Sequence, residues 1–359
     1  MSDSKAKALT KVKAELEEQY GETSVRWAHE IPVRPLVSSG SLALDFACGG
    51  GFPSDHCIEV AGAEGCGKTS LGLLTMRNFL DVQPDRGAVI LDLEHKLTVS
   101  WVEQLLEKER MERVILLWPD HMEEATDMYT KAVASGHISF VMVDSIGGAP
   151  SQRVTNKSAE IGNIGGNALA VTRFAQLASI YSQKYNTLTF GINQTRQDIS
   201  GYHRHIVPGG QAWKHACVIR ILMSRGKGKI EEKIGGENIP VGYQVVSKVV
   251  KNQIAAPGRV AEYWFFNVPT DKWAFGIDTL DEMIRLAILT DVIRQGGKWY
   301  YHSTFPNGQI DGKASMIQTV RENPESQDML RREIIEVVSA DSSLAQLIAP
   351  LTEVVELET

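Results

Sequence analysis

Between His56 and Ile192, short unbroken apolar runs alternate with stretches whose apolar residues recur at helical spacing. The runs are CIEVAG, GAVILDLE, VILLWP, ISFVMVDS and TLTFGIN; the helical stretches lie after Lys68, from Trp101 to Leu106, up to about Ser135 and, in a long one, up to about Tyr185. Runs without polar alternation are strands buried on both faces, and such strands separated by helices build a largely parallel sheet with helices on its faces. Ligands of such a sheet gather at the carboxyl ends of the strands. Beyond Gly210 the texture changes to ACVIRILMS, GYQVVSKVVKN and AEYWFFNV, read as antiparallel strands that extend the sheet and are joined by glycine-rich turns at RGKGK and IGGEN. From about Asp271 the order helix, aromatic hairpin (KWYYHSTFPNGQ), helix predicts a small separate α+β domain. At the other end Leu9, Val12, Leu16 and Tyr20 recur at spacings of three and four, and Gly21 stands where a helix stops. This amphipathic helix carries one apolar stripe, which packs either on its own domain or on a neighbouring subunit. The chain therefore divides into an N-terminal helical segment (1–30), an α/β core (31–270), a C-terminal α+β domain (271–336) and a mildly acidic tail (337–359).

Composition narrows the partners. The 359 residues carry a net charge of −7, with a pI near 5.8, so bulk electrostatics does not advertise nucleic acid and any such partner must be met by local patches. Cys48, Cys57, Cys66 and Cys217 are scattered without a CxxC pair, which excludes a zinc ribbon and a disulfide framework and predicts free thiols in a reducing, cytoplasmic setting. The charged start is not a signal peptide, and no apolar run reaches the length of a membrane span.

The first candidate chemistry is GAEGCGKTS, from Gly62 to Ser70, which fits GxxxxGK[ST] and falls between a strand and a helix. The backbone N–H groups of Gly62, Ala63, Glu64, Gly65, Cys66 and Gly67 are expected to curl around a phosphate at the positive end of the helix. Lys68 would then reach the β/γ oxygens, and Thr69, followed by Ser70, would offer a hydroxyl to Mg²⁺. A metal-bearing acid belongs at the end of a nearby strand, and FVMVDS supplies Asp144; LDLEH ends the next strand with Glu94, the candidate water-activating base, while Asp92 and His95 read as structural. Such a site names the cofactor without naming the task. Guanine is disfavoured, because the nearest match to NKxD, Asn156-Lys157-Ser158-Ala159, lacks the Asp.

The stretches SSGSLALDFACGGGFP, GAEGCGKTS, LDLEH, VMVDS, GINQTR, PGGQAWKHA, VVKNQIAAP and GGKWYYH, in this order and spacing, resemble the bacterial RecA recombinases from about Lys5 to Val337. The resemblance implies a RecA-type ATPase core and a protein that forms helical filaments on single-stranded DNA and exchanges strands with homologous duplex, using ATP and Mg²⁺. It implies that Lys68 and Thr69 hold phosphate and metal, that Glu94 is the catalytic glutamate, that Asp144 is associated with Mg²⁺ and that Trp101 stacks on adenine; the alternative for Trp101 is a core face of its helix. Gln194 would sense the γ-phosphate and open the second DNA loop.

The segments 151–166 and 195–210 would be the two DNA-binding loops, with Arg173 behind the first. Arg196 and the backbone of Gly209 and Gly210 would hold phosphates, and Ile164 and Ile199 would wedge between bases. Lys251 would reach the ATP of the neighbouring protomer, but the second lysine expected there is Gln253, which implies weaker stabilisation across the interface and slower turnover. Lys298, Trp299, Tyr300, Tyr301 and Lys313 would gather duplex DNA, or else form a surface hairpin over a small core. Three rivals remain: a filament-forming paralogue with little hydrolysis, a ring-forming motor on the same core, and a small-molecule phosphotransferase, which has no use for two long loops on one edge.

Overall fold

A computed structural model describes residues 3–21, 25–30, 35–148, 150, 166–197, 205–206 and 210–340. The runs predicted as buried strands form one nine-stranded sheet. Its spatial order is Gly276–Ile277, Val260–Phe266, Glu237–Asn252, Cys217–Ile234, Cys57–Gly62, Leu188–Gln194, Ile138–Asp144, Gly87–Asp92 and Val114–Leu117. From Cys217–Ile234 to Val114–Leu117 all neighbours are parallel; the remaining pairs are antiparallel. This is the α/β architecture the alternating pattern predicts, with the antiparallel extension on one side.

The inner parallel strands lack polar alternation because each face has its own core, whereas Val114–Leu117, at the sheet edge, leaves the apolar Ile115 and Leu116 exposed, against the expectation of burial on both faces. In Gly87–Asp92, Ala88 and Ile90 point into the cluster formed with the helix Lys68–Val82, whereas Val89 and Leu91 point into the cluster formed with the helices Met122–Ala134 and Gly166–Tyr185. Register then aligns the strand ends. Gly62 lies opposite Gln194 and Asp92 opposite Asp144, so four residues from four strands share one edge.

One expectation is corrected here. RGKGK is not a turn: it lies inside the continuous strand Cys217–Ile234, with a register shift between Arg225 and Lys229, and only the Gly235-Gly236 step turns the chain. A Cβ on Gly226 would stand 2.5 Å from the Gln244 side chain, and one on Gly228 would stand 2.7 Å from the Trp264 ring. The glycines make room for large side chains from the next two strands of the sheet, Glu237–Asn252 and Val260–Phe266, a use that reads in sequence like a turn.

The aromatic hairpin is a three-stranded sheet, Arg294–Gly296, Trp299–Tyr301 and Gln309–Asp311, flanked by Thr279–Leu289 and by Lys313–Glu322 and Pro324–Ala340. Its core also takes in Leu42 and Phe46 of the short helix Leu42–Cys48. Glu282 makes the polar part of that junction, accepting from Ser41 Oγ and from the backbone N–H of Leu42 at 3.1 Å. Burial pushes its carboxyl up to about 8 against the pull of these donors, and Asp45 nearby is pushed up to about 6 for the same reason.

Because folding raises the pKa of Glu282, its stabilising contribution is fully present below the unfolded carboxylate range and is lost as pH rises toward 8. Glu282→Ala, which leaves buried donors without a partner, is expected to cost about 1–3 kcal/mol in urea unfolding. Glu282→Gln is expected to flatten the fall of the unfolding midpoint with rising pH.

Contacts separate Met1–Pro35 from Leu36–Thr359 as compact units. The first unit holds the predicted helix, Asp3–Tyr20, stopped by Gly21 at φ +86°, and its stripe of Leu9, Val12, Leu16 and Tyr20 is exposed.

Candidate nucleotide site

The loop from Gly62 to Gly67 is shaped by its glycines. Gly67 caps the helix Lys68–Val82 at φ +97°, a conformation other residues rarely adopt, and a Cβ on Gly62 would lie 2.3 Å from the Met223 carbonyl oxygen. No acidic side chain stands in the first turn of that helix, so its free N–H groups face the loop without an internal anion. Lys68 is buried at the first helical position, and its ammonium donates to the carbonyls of Gly62 at 3.0 Å and Ala63 at 2.7 Å.

The cleft above this loop has a volume of about 460 Å³ and is lined by Glu64, Gly65, Gly67, Lys68, Thr69 and Ser70 together with Asp92, Glu94, Trp101, Asp144 and Gln194. Residues that sequence reading assigned from four separate motifs are thus brought to one cavity. Ala63 and Cys66 belong to the same loop without lining it; the Cys66 thiol is buried and burial raises its pKa.

Thr69 Oγ1 donates to Asp144 Oδ2 at 2.8 Å, which sets a hydroxyl and a carboxylate side by side at the loop's mouth. Burial pushes Asp144 up to about 6 despite that hydrogen bond, and the negative charges of Glu94 and Asp92 push the same way. Hard oxygen ligands in a locally negative site suit Mg²⁺. Among the described residues no group of three or more His, Cys, Asp or Glu could hold a metal ion.

Glu94 is held from three sides. Ser145 Oγ donates to Oε1 at 2.6 Å, the Gln194 amide donates to Oε1 at 2.8 Å and to Oε2 at 3.1 Å, and the Lys96 ammonium lies 2.7 Å from Oε2. Burial pulls this carboxyl upward, but the Lys96 contact and the two neutral donors outweigh it and leave Glu94 below its ordinary range. Asp92, read as structural, is buried and accepts from the backbone N–H of Glu94 at 3.2 Å and of Leu97 at 3.3 Å, so it shapes the turn that presents Glu94.

Trp101 lies on the helix Val99–Leu106. It packs edge-on against Phe275, with ring centroids 5.2 Å apart, and also lines the cleft. Lys251 lies outside this cleft. Its ammonium donates to the carbonyls of Lys214 at 3.0 Å and His215 at 3.1 Å, at the end of the helix Gly210–Ala216, and partial burial lowers its pKa. Arg173 lies on Gly166–Tyr185, and Gly210 opens the next helix. The backbone at Arg196-Gln197 pairs with His205-Ile206, a short ladder in a segment whose composition reads only as loop. Ile164, Ile199 and Gly209 lie outside the described residues.

Sequence reading missed Lys96, two residues past Glu94, and Arg225, whose guanidinium carbon stands 4.2 Å from the Tyr243 ring centroid while its Nε donates to Gly65 O at 2.9 Å, both in the cleft wall, and Ser145, next to Asp144, which holds Glu94 without lining the cleft. Ser145 had the one available signal, its place beside a strand-end acid.

The family model of the RecA N-terminal domain matches residues 7–267 of this chain. Protein RecA of Thermus thermophilus is 28% identical, over 94% of this chain and 96% of its own. Protein RecA of Listeria ivanovii is 29% identical over 99% of each chain, and that of Listeria monocytogenes serotype 4a is 29% identical over 96% and 95%.

Proposed function

Since the chain belongs to the RecA family, whose members act in recombination and repair and bind ATP and DNA, we propose that it is an ATP-dependent homologous recombinase that forms helical filaments on single-stranded DNA and catalyses homologous pairing and strand exchange. The observation that carries this reading is the direct hydrogen bond from Gln194 to Glu94. Gln194 is the last residue of a core strand, and the chain continues from it into the segment assigned to DNA; Glu94 is the base assigned to water. One amide therefore ties the two ligand sites, and whichever ligand moves it biases the other site.

Hydrolysis follows from the same residues. The loop N–H groups and Lys68 hold the phosphates, Thr69 and Asp144 hold Mg²⁺, and Trp101 takes the base. A Mg²⁺ ion bound there would supply positive charge to the phosphate. Glu94, released from part of its hydrogen bonding, orients water toward the terminal phosphate. Lys251 acts on the nucleotide of the adjoining protomer, which accounts for its absence from the cleft of its own chain. The exposed stripe of the first helix supports docking on a neighbour, and a head-to-tail contact that does not close produces a filament. Arg173, Arg196, Gly209 and Gly210 hold the DNA backbone, while Ile164 and Ile199 separate bases; single-stranded and homologous double-stranded DNA are the partners. Among the described residues no helix is long and apolar enough to cross a membrane, and the four cysteines are free, which supports a cytoplasmic setting.

ATP hydrolysis with and without single-stranded DNA tests the reading. Strong stimulation by DNA supports it, and no response to DNA sinks it. The second reading, a filament-forming paralogue with little turnover, is favoured by Gln253, and binding of both ATP and DNA without stimulated turnover would select it.

A further inference from the structure

Among the described residues three cations line the cleft: Lys68, which donates to the loop carbonyls, Arg225, at Gly65 O and the Tyr243 ring, and Lys96. The third, Lys96, is aimed by the turn that follows Glu94. His95 adopts φ +55°, a left-handed conformation that costs a non-glycine residue energy and that a chain keeps where the surroundings hold it. Lys96, the next residue, reaches back to Glu94, with its ammonium 2.7 Å from Oε2.

The contact it makes there is asymmetric. The Lys96 side chain is 63% exposed and that of Glu94 only 15%, so the ammonium can leave while the carboxylate stays. An ion pair with one water-exposed partner is weakly held. A terminal phosphate, with more charge and more acceptor oxygens than a carboxylate, competes for the same ammonium on favourable terms.

Resting on the ATPase reading above, we infer that Lys96 is a transferable cation: it occupies Glu94 Oε2 until a nucleoside triphosphate brings a γ-phosphate, and then exchanges the carboxylate for that phosphate. The exchange does two things. It adds a positive charge to the γ-phosphate from within the same chain, and it removes one of the three groups that keep Glu94 from accepting a proton from water. Gln194 and Ser145 still hold Oε1, and Gln194 keeps its longer contact to Oε2, so the carboxylate loses its cation without losing its position. A diphosphate offers no oxygen at that place and leaves Lys96 on Glu94. Lys96 thus becomes a determinant of triphosphate over diphosphate preference, separate from the DNA response that runs through Gln194.

The test is equilibrium binding of the β,γ-imido analogue of ATP and of ADP, each with Mg²⁺, to the full-length wild type, Lys96→Ala, Lys96→Arg and Lys68→Ala. Wild type is expected to prefer the triphosphate analogue. Lys96→Ala is expected to lose that preference by about tenfold, the scale of one charged contact, with ADP affinity unchanged. Lys96→Arg, which keeps the charge and reach, is expected to restore most of it. An unchanged preference in Lys96→Ala, or equal weakening of both nucleotides, overturns the inference and leaves the ATPase reading standing. A wild type that binds neither nucleotide overturns both.

Discussion

Alanine at position 68 is expected to lower ATP hydrolysis at least about a hundredfold, the scale set by losing one fixed donor to a transferring phosphoryl group. Two physical losses combine. The ammonium stands at the helix N-terminus, where the phosphates are proposed to bind, and it is buried, where a charge-assisted contact counts for more than at the surface. It also ties the carbonyls of Gly62 and Ala63 together, so its removal leaves the loop's backbone less fixed in the cradle shape. Phosphate release under saturating DNA measures the first loss, and nucleotide affinity measures the second. Arginine is not expected to rescue. A planar guanidinium is larger than the ammonium and cannot serve two carbonyls at the base of a tight loop as a compact point charge does. Retention of more than a tenth of wild-type turnover in Lys68→Ala would remove this site as the seat of hydrolysis.

Some of this architecture was legible in the chain and some was not, and the division has physical causes. Strand ends were legible because the apolar runs of the inner strands stop at a polar residue, although the same pattern in Val114–Leu117 belongs to an edge strand with Ile115 and Leu116 exposed. Asp144, Gln194 and Asp92 each stand at such a stop, register aligns those strand ends, and the turn after Asp92 then presents Glu94. Lys68 and Thr69 were legible because a phosphate cradle demands glycines at fixed spacing. The Gly226 and Gly228 misreading marks the opposite case: glycine signals backbone freedom or lateral crowding alike, and only the neighbouring strands, with Gln244 and Trp264, reveal which. Lys96 was invisible for a related reason, since its aim depends on a single left-handed residue, His95, that nothing in the local pattern requires. The hold of Glu282 on the helix start at Ser41 spans 241 residues of chain, beyond any local signal. Arg225 and Tyr243 come together across two antiparallel strands through a register shift that sequence does not announce.

The replacement Glu94→Gln separates chemistry from coupling. Gln is isosteric with Glu, so its carbonyl oxygen can still accept from Ser145 and from the Gln194 amide. Its own amide nitrogen then faces Lys96, and two donors cannot share a hydrogen bond; Lys96, being exposed, swings away at little cost. What is lost is the capacity to take a proton from water, a contribution of about 10²–10⁴ in rate for a positioned base. Hydrolysis is therefore expected to fall by about that factor while ATP still binds and still strengthens the hold on single-stranded DNA, because the Gln194 link survives. With turnover blocked, protein bound to DNA in the presence of ATP should release more slowly than wild type, measured as dissociation after a chase with competitor DNA. Slow hydrolysis with wild-type release would detach turnover from release. Hydrolysis within tenfold of wild type would mean that another group activates the water, and Glu94 would then be a structural anchor for Gln194.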